Sequence, residues 1–236
     1  MSPIVVPFHQ DERLAPGSLP VTGQVVAPTL PDGDRWARLV RLWDAVADAV
    51  AGATAPTVVS GDCLVALGVL AGVQRAGVDP SVLWFDAHGD VHTLESSTSG
   101  YLGGLSLRLA MGAHPERVAG PLGLRPLAED RVTLVDARDL DPAEADYLAT
   151  ARVRRATVDE VEVPPGPVVL HLDVDVIDSG DLPGLLFPVS GGPSRAAVLA
   201  SVRRVLDTGR VAALSVACPW RPGDDPRRAE LLSALT

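Results

Sequence analysis

The chain has no lysine and only two cysteines, Cys63 and Cys218, in 236 residues. Two thiols are too few for a disulfide framework and suit a reducing cytosol. All 20 cationic side chains are therefore arginine; 30 acids outnumber them for a formal charge of -10, and no stretch gathers them into a patch. That excludes nucleic acid and anionic membranes as partners. No apolar run approaches the ~18 residues of a membrane span, and Met1–Gln10 has no basic region leading into an apolar core and cleavage site. The expected location is cytoplasmic. Aromatics are scarce, 4% of residues, and none interleaves with basic side chains as a base-stacking surface would. Trp84 and Trp220 read as core or cleft walls.

What is present is an ordinary globular mix, 47% hydrophobic and 21% charged, which excludes disorder and coiled coil. Short valine-rich runs alternate with stretches of helical period, the pattern of a buried, mainly parallel sheet with crossover helices. The fold class is α/β, in three α/β/α layers. Predicted strands are Ile4–Val6, Thr57–Ser60, Val82–Asp86, Arg131–Asp136, Val168–Asp173 and Ala212–Val216. Predicted helices are Arg35–Ala51, Leu64–Ala76, Gly104–Met111, Pro142–Thr150, Ser194–Asp207 and Pro226–Leu235, each bounded by Pro, Gly or Asp. The 22 glycines and 21 prolines are spread through the connections without forming a linker, so residues 1–236 read as one domain. Pro7–Asp34 lacks clear periodicity and reads as a loop over the sheet.

In an open parallel sheet, ligands bind beyond the carboxyl ends of the strands, so the residues after each apolar run are the candidates for chemistry. Three groups stand out: Ser60-Gly61-Asp62-Cys63, Asp86-Ala87-His88-Gly89-Asp90 and His171-Leu172-Asp173-Val174-Asp175. Residues two apart in extended chain project to one side, which would let Asp86, His88 and Asp90 converge, and Asp173 with Asp175. Clustered carboxylates repel one another unless cations neutralise them, and mixed imidazole and carboxylate donors suit divalent Mn, Fe, Co or Zn. A single Asp-x-Asp is more simply a turn former or helix cap. Two acidic clusters and a histidine at strand ends of one sheet point instead to a two-metal centre, able to acidify water into a nucleophile at neutral pH.

Phe85-Asp86-Ala87-His88-Gly89-Asp90 and Leu172-Asp173-Val174-Asp175 resemble the Asp-Ala-His-x-Asp and Asp-x-Asp motifs of the ureohydrolases, the family of arginases, agmatinases and formiminoglutamases. The similarity extends over residues 55–220. It implies an arginase-like fold, two divalent ions, manganese by family habit, and hydrolysis of a guanidino C–N bond by metal-activated water. By position, Asp86 and Asp173 would bridge the ions, Asp90 would complete one site, and His88 and Asp175 the other, with Cys63 at the first. Asp90 would also pass a proton as the tetrahedral intermediate collapses. Arg138–Glu144 resembles the arginase segment that holds a substrate amino group, implying Asp141 and Glu144 for an α-ammonium. Thr93–Leu102 resembles the substrate loop, and His92, Ser97 and Ser99 fall where arginases bind the α-carboxylate, although asparagine is usual at the first. An amino acid such as L-arginine or Nω-hydroxy-L-arginine is thereby favoured over agmatine. Relatives form trimers or hexamers, implying a homo-oligomer.

Departures from the family pattern carry as much information. The Gly-Gly-Asp-His motif appears as Ser60-Gly61-Asp62-Cys63; sulfur in place of imidazole favours zinc, cobalt or iron, or weakens the first site for manganese. Cys63 has two other readings: a small inert residue at the start of a buried helix, or a nucleophile activated by that helix N-terminus. Beside Gly100-Tyr101-Leu102-Gly103-Gly104, the cysteine resembles the Nω-hydroxy-L-arginine hydrolase branch, which releases hydroxyurea and L-ornithine. Gly103 stands where arginases carry a proton-shuttle histidine, and Val216 where they carry a glutamate that pairs with the guanidinium. Burying that cation unpaired costs several kcal/mol, so Glu95, Asp178 or another acid substitutes, or the substrate is less basic. His171 reads as a core histidine or, through its alternation with Asp173, as facing the cavity. Cys218 reads as packing, and His9 and His114 suggest nothing. The altered positions leave a second reading, a degenerate arginase-fold metal-binding or regulatory protein without ureohydrolase activity.

Overall fold

The valine-rich runs become strands of an eight-stranded parallel sheet in the computed structural model, which describes residues 2–236. From edge to edge its order is β4 (Gln24–Val25), β1 (Ile4–Val6), β5 (Thr57–Ser60), β10 (Val211–Ala217), β9 (Val168–Asp173), β6 (Ser81–Asp86), β7 (Val132–Asp136) and β8 (Arg154–Ala156). The inner strands are covered on both faces, which is why they read as continuous apolar runs. On one face lie α1 (Arg35–Ala51), α2 (Val65–Arg75) and α3 (Ser106–Ala110), whose cluster takes in Trp84, Leu134 and Val169 from the strands. On the other lie α6 (Arg195–Leu206) and α7 (Pro226–Leu235), packed on Phe85, Val135, Leu170 and Leu172. Successive strand residues thus divide between two cores.

Local sequence explains the two principal helices. Asp34 caps α1 by accepting the Ala37 N–H at 3.0 Å, and Leu39, Leu42, Trp43, Val46, Ala47 and Val50 form its buried stripe. α2 instead buries every residue from Val65 to Gln74, as a helix apolar all round must. Among the described residues, no helix is long and apolar enough to cross a membrane.

Two local expectations need revision. Pro7–Asp34 is not only a loop: it holds the antiparallel pair β2 (Phe8–His9) and β3 (Glu12–Arg13), and the edge strand β4 beside β1. Two-residue strands are too short to leave a periodic signature. The helix expected at Gly104–Met111 begins as a 3-10 turn, Gly103–Leu105, and becomes α-helical only at Ser106. The sequence pattern also left two elements unmarked, the exposed edge strand β8 and the four-residue α4 (Ala119–Leu122).

Candidate metal centre and substrate cavity

The carboxyl ends of four adjacent strands, β5, β10, β9 and β6, meet at one cavity of ≈ 250 Å³. Cys63, Asp86, His88, Asp90, His92, Ser99, Asp141, Glu144, Asp173 and Asp175 all line it. Ser97 does not; its hydroxyl accepts the Gly100 N–H at 3.2 Å and closes a turn in the 93–102 loop.

Strand alternation is not what brings the acids together. β6 ends at Asp86, whose Oδ1 accepts the His88 N–H at 2.7 Å; the chain then turns out of the sheet and reaches Asp90 at φ +54°, a left-handed conformation that aspartate tolerates. β9 ends at Asp173, whose Oδ1 accepts the Asp175 N–H at 2.8 Å and opens a 3-10 turn, Val174–Val176. Asp173 forms its turn with Oδ1 and presents Oδ2 to Cys63, whereas Asp86 Oδ1 serves both its turn and the His88 imidazole, and its Oδ2 accepts the Trp84 Nε1–H at 3.2 Å on the side of Cys63. Arg138 braces the second turn: it pairs with Asp136 and donates to the carbonyls of Val176 at 3.0 Å and Val189 at 2.9 Å.

Asp86, Asp90, Asp173 and Asp175 are each at most 5% exposed, and no arginine lines the cavity. Burial, then repulsion between neighbouring carboxylates, pushes Asp90 and Asp173 well above the ordinary carboxylate range and Asp175 up to about 6. Burial opposes a charge on His88, but contacts to Asp175 at 3.2 Å and Asp86 at 3.3 Å outweigh it and push the imidazole up to about 12. Burial likewise works to raise Asp86, yet the His88 imidazolium holds it below its usual value. One imidazolium among four buried acids leaves the cluster short of positive charge. Asp90 Oδ2 has no hydrogen-bond partner among the described residues.

Cys63 enters from the turn after β5, where Asp62 Oδ1 accepts the Leu64 N–H at 2.8 Å. Its Sγ donates to Asp173 Oδ2 at 2.8 Å and lies 3.9 Å from Asp86 Oδ2. Burial and the three nearby aspartates push the thiol up, so it stays protonated unless a cation stands beside it. Donor atoms of Cys63, Asp86 and His171 lie within 4.8 Å of one another, and so do those of Asp86, His88 and Asp175. Asp86 belongs to both groups. Sulfur, imidazole and carboxylate donors, a shared acid and an unpartnered buried oxygen fit a pair of divalent transition ions.

At the outer end, Asp141 and Glu144 form a capping box at the start of α5 (Pro142–Leu148). Glu144 is fastened there, its Oε2 accepting the Asp141 N–H and its Oε1 the Val91 N–H, both at 3.2 Å. Gly89 permits that approach, because a Cβ there would lie 2.7 Å from Glu144 Oε1. Asp141 is the freer acid. Its Oδ2 lies 3.0 Å from His92 Nε2, while His92 Nδ1 lies 3.0 Å from Ser96 Oγ. Both nitrogens of His92 are therefore engaged, and Ser96, not singled out in the sequence, orients the ring.

Tyr101, Phe187 and Pro219 also line the cavity, none of them singled out as a site residue by the sequence. Tyr101 fills the space opened at Gly103, where a Cβ would lie 2.3 Å from its ring. Its hydroxyl is 3.4 Å from His9 Nε2, so His9, which suggested nothing in sequence, supports a wall of the cavity. Phe187 packs on Tyr101 at 4.7 Å between centroids, and Pro219 lines the wall beyond β10. Neither acid considered as a substitute at the Val216 position reaches the cavity. Glu95 is exposed beside His114, and Asp178 accepts N–H groups of Gly180, Gly191 and Gly192.

The Arginase family model matches residues 15–228 of the chain. The arginase of Eremothecium gossypii is 32% identical over 192 residues, 73% of this chain and 48% of that protein. The N(omega)-hydroxy-L-arginine amidinohydrolase of Streptomyces lavendulae is 35% identical over 152 residues, 61% of this chain and 54% of that protein. The chain thus spans about half the length of the curated relatives it matches. Its fold is similar to that of Entamoeba histolytica arginase in complex with L-ornithine, with TM-score 0.83, 20% identity and coverage of 98% of this chain and 95% of that one. Bacillus subtilis arginase gives TM-score 0.82 at 24% identity, over 100% of this chain and 97% of that one.

Proposed function

The chain belongs to the arginase family, and on that premise we propose that it is a metal-dependent hydrolase of a guanidino C–N bond in an amino-acid substrate. The observation that carries this reading is the convergence of Cys63, Asp86, His88, Asp90, Asp173 and Asp175 on one cavity, in two donor groups that share Asp86. Cys63, Asp90 and the bridging acids Asp86 and Asp173 would hold one ion; His88 and Asp175, with the same bridging acids, would hold the other. Bound there, two divalent ions neutralise the acids and make water acidic enough to attack carbon at neutral pH.

The chain's own groups then divide the work. Asp90, with one oxygen unpartnered among the described residues, takes a proton from the attacking water and delivers it to the departing nitrogen as the C–N bond breaks. Asp141 holds an α-ammonium, and Ser99 with the loop ordered by His92 and Ser96 holds an α-carboxylate. Glu144, spent on two backbone N–H groups, positions Asp141. Tyr101 and Phe187 exclude bulk water from the same space.

The lack of a carboxylate on the Pro219 wall favours Nω-hydroxy-L-arginine over L-arginine. A hydroxylated guanidine is less basic, so it can be buried as a neutral group and needs no acid where Glu95 and Asp178 fail to reach. The test is a coupled assay of metal-loaded protein with L-arginine, Nω-hydroxy-L-arginine and agmatine, following ornithine or putrescine release with metal content measured on the same sample. Turnover of the hydroxylated amino acid alone is expected. No release from any of the three with two ions bound would refute the hydrolase reading for these substrates and favour a protein that keeps the centre without the reaction.

A further inference from the structure

His171 stands on β9 two residues before Asp173, with no exposed surface. Its ring stacks on Trp84 with centroids 3.7 Å apart, and its Nδ1 meets the Ser215 hydroxyl at 3.1 Å. Its other nitrogen, Nε2, has no partner among the described residues. Packing alone does not account for that atom, since an apolar side chain would fill the space without burying an unpaired nitrogen, and buried polar atoms are seldom left so. A ring nitrogen of His171, Cys63 Sγ and an Asp86 carboxylate oxygen all lie within 4.8 Å of one another, and Nε2 is the nitrogen that no hydrogen bond engages. Three donors each about 2.0–2.3 Å from one ion lie roughly 3.3–4.0 Å apart at tetrahedral to trigonal angles, so closure on the order of an ångström brings all three onto a single centre.

From these contacts we propose that His171 is a metal ligand, its Nε2 joining Cys63 and Asp86 to hold a divalent ion of the zinc, cobalt or iron class. The inference rests on the two-metal reading above and adds a ligand to it. With the Nδ1 proton donated to Ser215 Oγ, the lone pair stands on Nε2, the arrangement in which a ligating histidine is oriented from behind by its second nitrogen. Binding releases the Sγ proton that Cys63 now donates to Asp173, so sulfur joins the ion as thiolate and one proton leaves to solvent. The two positions then differ in character. Sulfur, nitrogen and oxygen donors meet at one, and His88 with Asp86 and Asp175 offers only nitrogen and oxygen at the other, so the first selects the softer ion.

The full chain loaded with Co(II) tests this directly. Wild type is expected to show thiolate-to-cobalt charge-transfer absorption and two contact-shifted exchangeable imidazole N–H resonances in proton NMR, from His88 and His171. His171→Gln should remove one resonance and weaken binding at one position by more than the about 10–100-fold that an outer-shell partner contributes. A single shifted imidazole N–H in wild type would overturn the assignment, whether or not the variant folds. So would a His171→Gln spectrum that keeps both. Wild-type protein that binds no cobalt would instead overturn the two-metal reading itself, and the ligand assignment with it.

Discussion

Acids on the surface of this molecule and acids in its cavity are treated in opposite ways. Outside the cavity, the partly buried Asp11 is held by Arg35 and Arg38 at 3.1 and 2.8 Å, and the more exposed Asp44 and Asp48 by Arg75 at 2.6 and 2.7 Å. Inside, Asp86, Asp90, Asp173 and Asp175 are buried with His88 as their counter-charge and no arginine among the lining residues. A chain with 20 arginines does not lack cations to place there. On the proposed two-metal reading, a permanent guanidinium would occupy the space meant for ion and substrate, whereas an imidazole could release its proton and become a ligand. The exposed pairs of Arg75 therefore contribute little, while acids buried together are costly unless protonated or neutralised by a cation.

The largest effect should come from breaking the shared acid. Asp86→Asn is expected to abolish the binding of both ions and bring turnover to background, read by metal analysis and the coupled assay. Retention of two ions per chain would refute the bridging role. Asp173→Asn should behave alike.

Next comes the pH dependence of the metal-free protein. Asp175 is raised to about 6 by burial and Asp86, from an ordinary 3.8, so its protonated form stabilises the fold fully below pH 3.8 and that contribution is lost as pH rises toward 6. Asp90 and Asp173 shift in the same direction. Ions bind the deprotonated ligands more tightly as pH rises. The gap in Tm between loaded and chelated protein should therefore widen from pH 5 to 7, and a constant gap would contradict the assignment of these acids.

Of intermediate size is substrate recognition. Asp141→Asn should raise KM about tenfold or more with a smaller change in kcat, as expected for an acid that binds without reacting; an unchanged KM would remove Asp141 from the ammonium site. Cys63→His should shift metal preference rather than abolish binding, raising manganese occupancy at the first position. Unchanged stoichiometry and activity would count against sulfur ligation. Smallest of all, Arg75→Ala should cost no more than about 1 kcal/mol in denaturant unfolding and leave metal content untouched, because its pairs with Asp44 and Asp48 lie at the surface.

How legible the site was depends on how local each signal is. Asp86, His88, Asp90, Asp173 and Asp175 stand in two short segments at strand ends, and a parallel sheet delivers strand ends to one side. Alternation along a strand is nevertheless not what makes them converge: side-chain turns at Asp86 and Asp173, and a left-handed Asp90, do that instead. Tyr101 and His9 lie 92 positions apart, and no window of sequence relates them. Four consecutive hydroxyl residues, Ser96 to Ser99, crowd that loop, and only its fold shows that Ser96 is the one that meets His92. β2, β3 and β4 were hidden because two-residue strands have no period, and β8 because an exposed edge is not apolar.

By itself, then, the sequence determined the α/β class, the run of inner strands and principal helices, and the identity of the acids, since these follow from hydrophobic period, caps and residue types close together in the chain. Tertiary structure decided the rest. It set which strands are neighbours, which aspartate oxygens make the turns, that Tyr101 takes the room left at Gly103, and that the buried His171 stands beside Cys63 and Asp86. These depend on contacts between segments far apart in the chain, and such contacts exist only once the two cores have closed on the sheet.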